Sequence, residues 1–127
     1  VSSKYIGIDF DGTMVRNAYP EVGLPVEGAL DTVKDLIDFG HKIILYTMRS
    51  GERLVQAVEY LEEHGVKLYA VNENPSQKYW TESPKIFCNL YIDDLAIGVP
   101  LVNPPKGKPF VNWGLVRDEL LERGFLE

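Results

Sequence analysis

Three short apolar runs in this chain each stop at a residue that can do chemistry. Tyr5-Ile6-Gly7-Ile8 stops at Asp9, Ile43-Ile44-Leu45-Tyr46 stops at Thr47, and Leu90-Tyr91-Ile92 stops at Asp93. Short continuous apolar runs bounded by polar residues read as buried strands. Strands of that kind belong to parallel sheets, which are covered on both faces. In open sheets of this type, ligands sit at the carboxyl ends of the strands. One feature thus constrains both the fold class and the place where a site is built.

The segments between the runs supply the crossovers. From Ala29 the pattern turns helical, with Leu30, Val33, Leu36 and Ile37 on one face and Gly40 where a C′ glycine ends a helix. Ser50 can cap a second helix, through which Leu54, Ala57, Val58 and Leu61 repeat before His64 and Gly65 end it. Residues 12–28, with Pro20, Gly23 and Pro25, read as a loop or small flap. Residues 66–71 read as a further strand and residues 72–83 as a loop. Ser83-Pro84 reads as the N-cap and first position of a short helix carrying Lys85. Residues 97–102 are a candidate final strand, residues 103–109 a proline-rich loop, and Asn112 caps a last helix with Trp113, Val116 and Leu120. The alternation predicts one α/β domain over residues 1–127, a three-layer Rossmann-like fold around a central parallel sheet.

Length and composition agree. A chain of 127 residues, 45% hydrophobic and 25% charged, suits one folded domain. Thirteen Lys and Arg against 19 Asp and Glu give a net charge of −6, which argues against bulk attraction to polyanions and leaves nucleic acid only as a locally contacted substrate. The single Cys88 excludes an intramolecular disulfide and fits a reducing compartment. No apolar run reaches the ~18 residues of a membrane span, and no secretory h-region is evident. The expectation is a cytoplasmic protein with no membrane partner.

Asp9-Phe10-Asp11-Gly12-Thr13 places two carboxylates two positions apart at a strand end, and Gly12 permits a sharp turn after them. Asp93 and Asp94 add two more at another strand end. Four carboxylates in one crevice repel one another, and a divalent cation or a lysine relieves the repulsion. Hard oxygen ligands with no nearby His or Cys select Mg²⁺, and Lys85, eight residues before Asp93, can supply a further positive charge. The segment is not an EF-hand loop, because Thr13 and Met14 occupy positions that need an oxygen ligand and a glycine. An Asx-rich turn is the chemistry-free reading of Asp9 and Asp11. The further polar strand ends weigh against it.

These residues together resemble the haloacid dehalogenase superfamily of phosphotransferases. Asp9-Phe10-Asp11-Gly12-Thr13 is similar to its first motif, and Ile43 to Thr47 to the second. Lys85 is similar to the third and Leu90-Tyr91-Ile92-Asp93-Asp94 to the fourth, all in order. The resemblance implies a Mg²⁺-dependent phosphomonoester phosphatase. Asp9 would be the nucleophile that forms an aspartyl-phosphate, and Asp11 the general acid and then base. Thr47 would hydrogen-bond the transferring phosphoryl group, and Lys85 would offset its charge. Asp9, Asp11 (through its carbonyl), Asp93 and Asp94 would hold the metal, with Asp94 the choice for direct ligand. Gly12, Thr13, Met48 and Arg49 would contact substrate, Arg49 through a phosphate or carboxylate.

Between Asp11 and Thr47 lie 35 residues, and between Thr47 and Lys85 lie 37, too few in either place for a folded cap beside the elements already assigned. The resemblance is therefore to capless members, whose open site admits a phosphorylated small molecule or a macromolecular phosphate end, or borrows a lid from a second copy. Tyr79-Trp80 is the nearest thing to a local lid. Two other classes share these features. A phospho-receiver signalling domain also uses Asp, Thr and Lys at strand ends, but its adjacent acidic pair comes first and its lone Asp later. A non-catalytic, phosphate-binding relative would be expected to have damaged motif carboxylates, and these are intact.

Overall fold

The computed structural model describes residues 2–127; Val1, the first residue of the expected domain, lies outside the described residues. Tyr5–Ile8 (β1), Lys42–Leu45 (β2), Ala70–Val71 (β3) and Leu90–Ile92 (β4) form one parallel sheet in the order β3-β2-β1-β4. Ile8 lies opposite Leu45 on one side and Ile92 on the other. The ladder runs one residue further, because Tyr46 N–H donates to the Ile8 carbonyl and Asp9 N–H to the Ile92 carbonyl, each at 2.9 Å. The three polar strand ends therefore emerge side by side at one edge of the sheet.

Ala29–Asp38 (α1) links β1 to β2, and Gly51–Glu63 (α2) links β2 to β3. Both connections step across the sheet in the same direction, so right-handed crossovers place both helices on one face. Trp113–Glu122 (α3) joins them there and packs against α1. On that face Ile6, Ile8, Ile43, Leu45 and Ile92 share one core with Val33 and Leu36 of α1, Ala57 and Leu61 of α2, and Trp113, Val116 and Leu120 of α3. Asn112 caps α3 by accepting from Leu115 N–H at 3.1 Å, and Gly40 follows α1 in the left-handed region, φ +101°. The fold is α/β with a four-stranded parallel sheet flanked by helices, Rossmann-like in plan.

The opposite face carries Gly7, Ile44 and Tyr91. The return from β3 to β4 runs backwards past β2 and β1 and covers this side, but its regular structure is only a 3₁₀ helix, Pro75–Tyr79. The helix expected at Ser83-Pro84 does not form. Gln77, buried beneath this segment, donates its amide to the Ser83 and Lys85 carbonyls and accepts from Phe87 N–H. Those carbonyls are thus occupied by a side chain instead of a helical ladder.

The later strands also differ from expectation. Residues 93–99 coil through successive turns, with Ala96 N–H on the Asp93 carbonyl and Val99 N–H on the Ala96 carbonyl. The strand therefore begins only at Leu101. Leu101–Val102 (β5) pairs antiparallel with Phe110–Val111 (β6) as a separate ribbon. β6, two residues long after a proline-rich loop, carries no readable pattern. β3 is likewise shorter than residues 66–71. Among the described residues, no helix is long and apolar enough to cross a membrane.

Candidate active site

Asp9, Asp93 and Asp94 converge where β1 and β4 end. One carboxylate oxygen from each lies within 4.8 Å of the others. Thr13 organises the group. Its buried hydroxyl donates to Asp9 Oδ2 at 2.8 Å and accepts from Asp94 N–H at 3.1 Å. Asp93 Oδ1 accepts from Leu95 N–H at 2.9 Å, which turns the chain away after the acidic pair.

Gly12 makes this approach possible. Its φ is +82°, and a Cβ there would sit 2.2 Å from Asp94 Oδ2 and 2.7 Å from Asn17 Nδ2. Its N–H donates to the Val15 carbonyl and its own carbonyl accepts from Val111 N–H. Trp113, from the far end of the chain, donates its indole N–H to the Thr13 carbonyl at 2.7 Å. Gly12 and Thr13, expected to touch substrate, thus serve the internal geometry instead. Thr13 is fully buried, and the backbone groups of Gly12 are already paired.

Burial is the largest influence on Asp9 and pushes its carboxyl from 3.8 up to about 8, against the opposing hydrogen bond from Thr13. The charge of Asp93 adds to the rise. The neighbouring Asp94 carboxyl raises Asp9 further. Asp94 is also raised, chiefly by burial. Three carboxylates in this space need protons or a cation, and an all-oxygen donor set fits a hard divalent ion such as Mg²⁺.

Asp11 stands apart from that group. Arg49 grips it with two parallel hydrogen bonds, Nε to Oδ2 and Nη2 to Oδ1, both 2.8 Å. The remaining Arg49 donors reach the Pro20, Glu21 and Arg53 carbonyls at 2.8–3.2 Å. All five guanidinium N–H groups are therefore used. The guanidinium also lies against the Phe10 and Tyr19 rings, 5.1 Å from each centroid. Its hydrogen bonds to Asp11 raise its pKa further above the usual arginine value. Arg49, expected as a substrate contact, is a buried latch. It pins the tip of the residue 12–28 flap to Asp11 and the start of α2.

Thr47 lies two residues past the end of β2. The side chain of Asn72 holds its backbone on both sides, accepting from Thr47 N–H at 2.8 Å and donating to the Thr47 carbonyl at 2.9 Å. The Thr47 hydroxyl accepts from Arg49 N–H at 3.1 Å. Met48 is 98% exposed at the mouth. Lys85 sits in an exposed bend and forms no ion pair with Asp9, Asp93 or Asp94 within 4.0 Å. The expected four-carboxylate crevice with a lysine is thus a three-carboxylate cluster beside a separate Asp11–Arg49 pair.

Sequence reasoning missed Asn72, Gln77 and Trp113 as organising residues. Asn72 carried one signal, a polar residue at the end of a strand run, and it adopts a left-handed φ of +53° that asparagine tolerates. A cavity of about 630 Å³ lies between β4, residues 96–100 and α3, and none of the three carboxylates lines it. The three carboxylates are each half-buried.

Among solved structures, the chain resembles that of a conserved protein coded by a locus from Bacteroides thetaiotaomicron. The two are 32% identical with a TM-score of 0.79, over 96% of this chain and 93% of that one. The chain belongs to that protein's family. The likeness extends over nearly the whole chain, not one motif. No protein-family model matches the chain, and no curated protein does.

Proposed function

We propose that this protein is a Mg²⁺-dependent phosphohydrolase, a capless phosphatase of the haloacid dehalogenase type. The observation that carries the reading is the convergence of Asp9, Asp93 and Asp94 within 4.8 Å at the carboxyl end of a parallel sheet, with Thr47 on the adjoining strand end. Asp9, Asp93 and Asp94 would hold the cation, which when bound supplies the positive charge that keeps Asp9 ionised and offsets a phosphate. The Asp11 carbonyl is the further ligand that the family resemblance implies.

An ionised Asp9 needs no base to act as nucleophile. One Asp9 oxygen forms a bond to phosphorus as the ester P–O bond breaks, and the alcohol leaves with a proton. Water then attacks phosphorus, releasing inorganic phosphate and restoring Asp9. Asp11 is the acid and base for these protons. In the structure Arg49 engages both Asp11 oxygens, so this role requires the Asp11–Arg49 pair to open. Thr13 holds Asp9 in place and Thr47 donates to the phosphoryl oxygens. Lys85 makes no ion pair with these carboxylates in the structure.

The test is phosphate release from p-nitrophenyl phosphate, with and without Mg²⁺, for wild type and Asp9→Asn. Turnover that needs Mg²⁺ and disappears in Asp9→Asn is expected. Equal rates in the two proteins would sink the assignment.

A further inference from the structure

The sheet face without α-helices carries two tyrosines next to the carboxylates. Tyr91 lies on β4 and Tyr46 follows β2, and these strands flank β1 on either side. Strands two apart are separated by about 9–10 Å. The two ring centroids are nevertheless only 6.1 Å apart, with planes at 58°. The rings therefore lean toward each other across β1, and Gly7 permits it. A Cβ at Gly7 would lie 3.3 Å from the Tyr91 ring and 2.9 Å from Cys88 Sγ. Tyr91 is fixed by its hydroxyl, which donates to the Ile86 carbonyl and accepts from Cys88 N–H. Tyr46 and Tyr91 are still 41% and 38% exposed.

The shelf is continuous with the candidate active site. Asp9 is two residues beyond Gly7 on β1, on the same side by strand alternation and about 7 Å along the strand. Tyr46 is the residue beside Asp9 in the ladder, one before Thr47. From these positions we infer that Tyr46 and Tyr91 form a base-stacking subsite, and that the substrate is a nucleoside monophosphate.

This inference rests on the phosphohydrolase reading for the fate of the phosphate, but not for the binding of the ring. In-line displacement puts the leaving oxygen opposite the attacking Asp9 oxygen. A ring bonded directly to that oxygen points away from the shelf. A ring carried on a sugar can fold back onto it. Stacking on a tyrosine is tolerant of base identity. The net charge of −6 disfavours a polynucleotide over a mononucleotide.

The experiment compares adenosine 5′-monophosphate, ribose 5-phosphate and a 5′-phosphorylated oligonucleotide in Mg²⁺. It uses wild type, Tyr46→Ala and Tyr46→Phe. Adenosine 5′-monophosphate should exceed ribose 5-phosphate in kcat/KM by about tenfold or more, the usual effect of one stacked base. The ratio should collapse in Tyr46→Ala, mainly through KM, and persist in Tyr46→Phe. An equal ratio in wild type, an unchanged ratio in Tyr46→Ala, or faster turnover of the oligonucleotide would overturn the inference. If no ester is turned over, the phosphohydrolase reading falls. The subsite is then read by calorimetric titration of the same compounds into wild type. Tighter binding of adenosine 5′-monophosphate than of ribose 5-phosphate supports the subsite, and equal binding overturns it.

Discussion

Arg49→Met tests whether the latch is a structural necessity of the site. The Arg49 side chain is 1% exposed and that of Asp11 is 19% exposed, so the substitution strands a carboxylate with little water to replace its partner. It also removes donors from the Pro20, Glu21 and Arg53 carbonyls. Removing one member of a buried pair costs about 3–5 kcal/mol, and the residual access of Asp11 to water places this case near 3. A domain of this size has a total stability of about 5–15 kcal/mol, so the variant should fold but melt roughly 10 °C lower. Arg49→Lys should recover little, since an ammonium cannot make the two parallel bonds. Urea unfolding followed by tryptophan fluorescence reads the cost. A double-mutant cycle with Asp11→Asn should give a coupling of about 2 kcal/mol. Additive effects, or a cost below about 1 kcal/mol for Arg49→Met, would refute the latch.

Two further predictions concern the residues around it. The Asp9 carboxyl, raised from 3.8 to about 8, keeps a proton that the unfolded chain loses above pH 4. Its contribution to stability is therefore whole below pH 4 and lost as pH rises to about 8. Metal-free melting temperatures should fall over that window, Mg²⁺ should restore them at pH 8 but not at pH 5, and a flat profile that Asp9→Asn leaves unaltered would contradict this. Asn72→Ala should lower kcat on p-nitrophenyl phosphate about tenfold by releasing the Thr47 backbone, and kcat equal to wild type would show that Thr47 needs no such support.

The frame was legible because local chemistry and the global fold agree along most of it. Apolar runs of three and four residues became strands, and their parallel registers brought Asp9, Thr47 and Asp93 to one edge. Helix patterns with an end marked by Gly40 or a start marked by Asn112 became α1 and α3. What was not legible depends on partners distant in sequence. Arg49 looks like any loop arginine until the flap returns two carbonyls to it from residues 20 and 21. Thr13 follows a motif carboxylate, yet its role is set by Asp94, 81 residues later, and by Trp113, 100 residues later. Spacing within a motif carries none of this.

Lys85 shows the same limit with a chemical consequence. Ser-Pro is a sound helix start in isolation, but the amide of Gln77 occupies the carbonyls that such a helix would organise. The lysine expected to balance the carboxylates is thereby left on the surface. Asp11 does not add to the acidic crevice either, because Arg49 pairs with it in full. Three carboxylates remain, with no ion-paired cationic side chain among them. A phosphate dianion could approach such a group only after its charge had been reduced by protons or by a divalent ion. Protons on Asp9 would remove the nucleophile, so metal is the only one of the two that leaves the proposed chemistry possible. The proposed dependence on Mg²⁺ therefore rests on three carboxylates that no lysine is paired with.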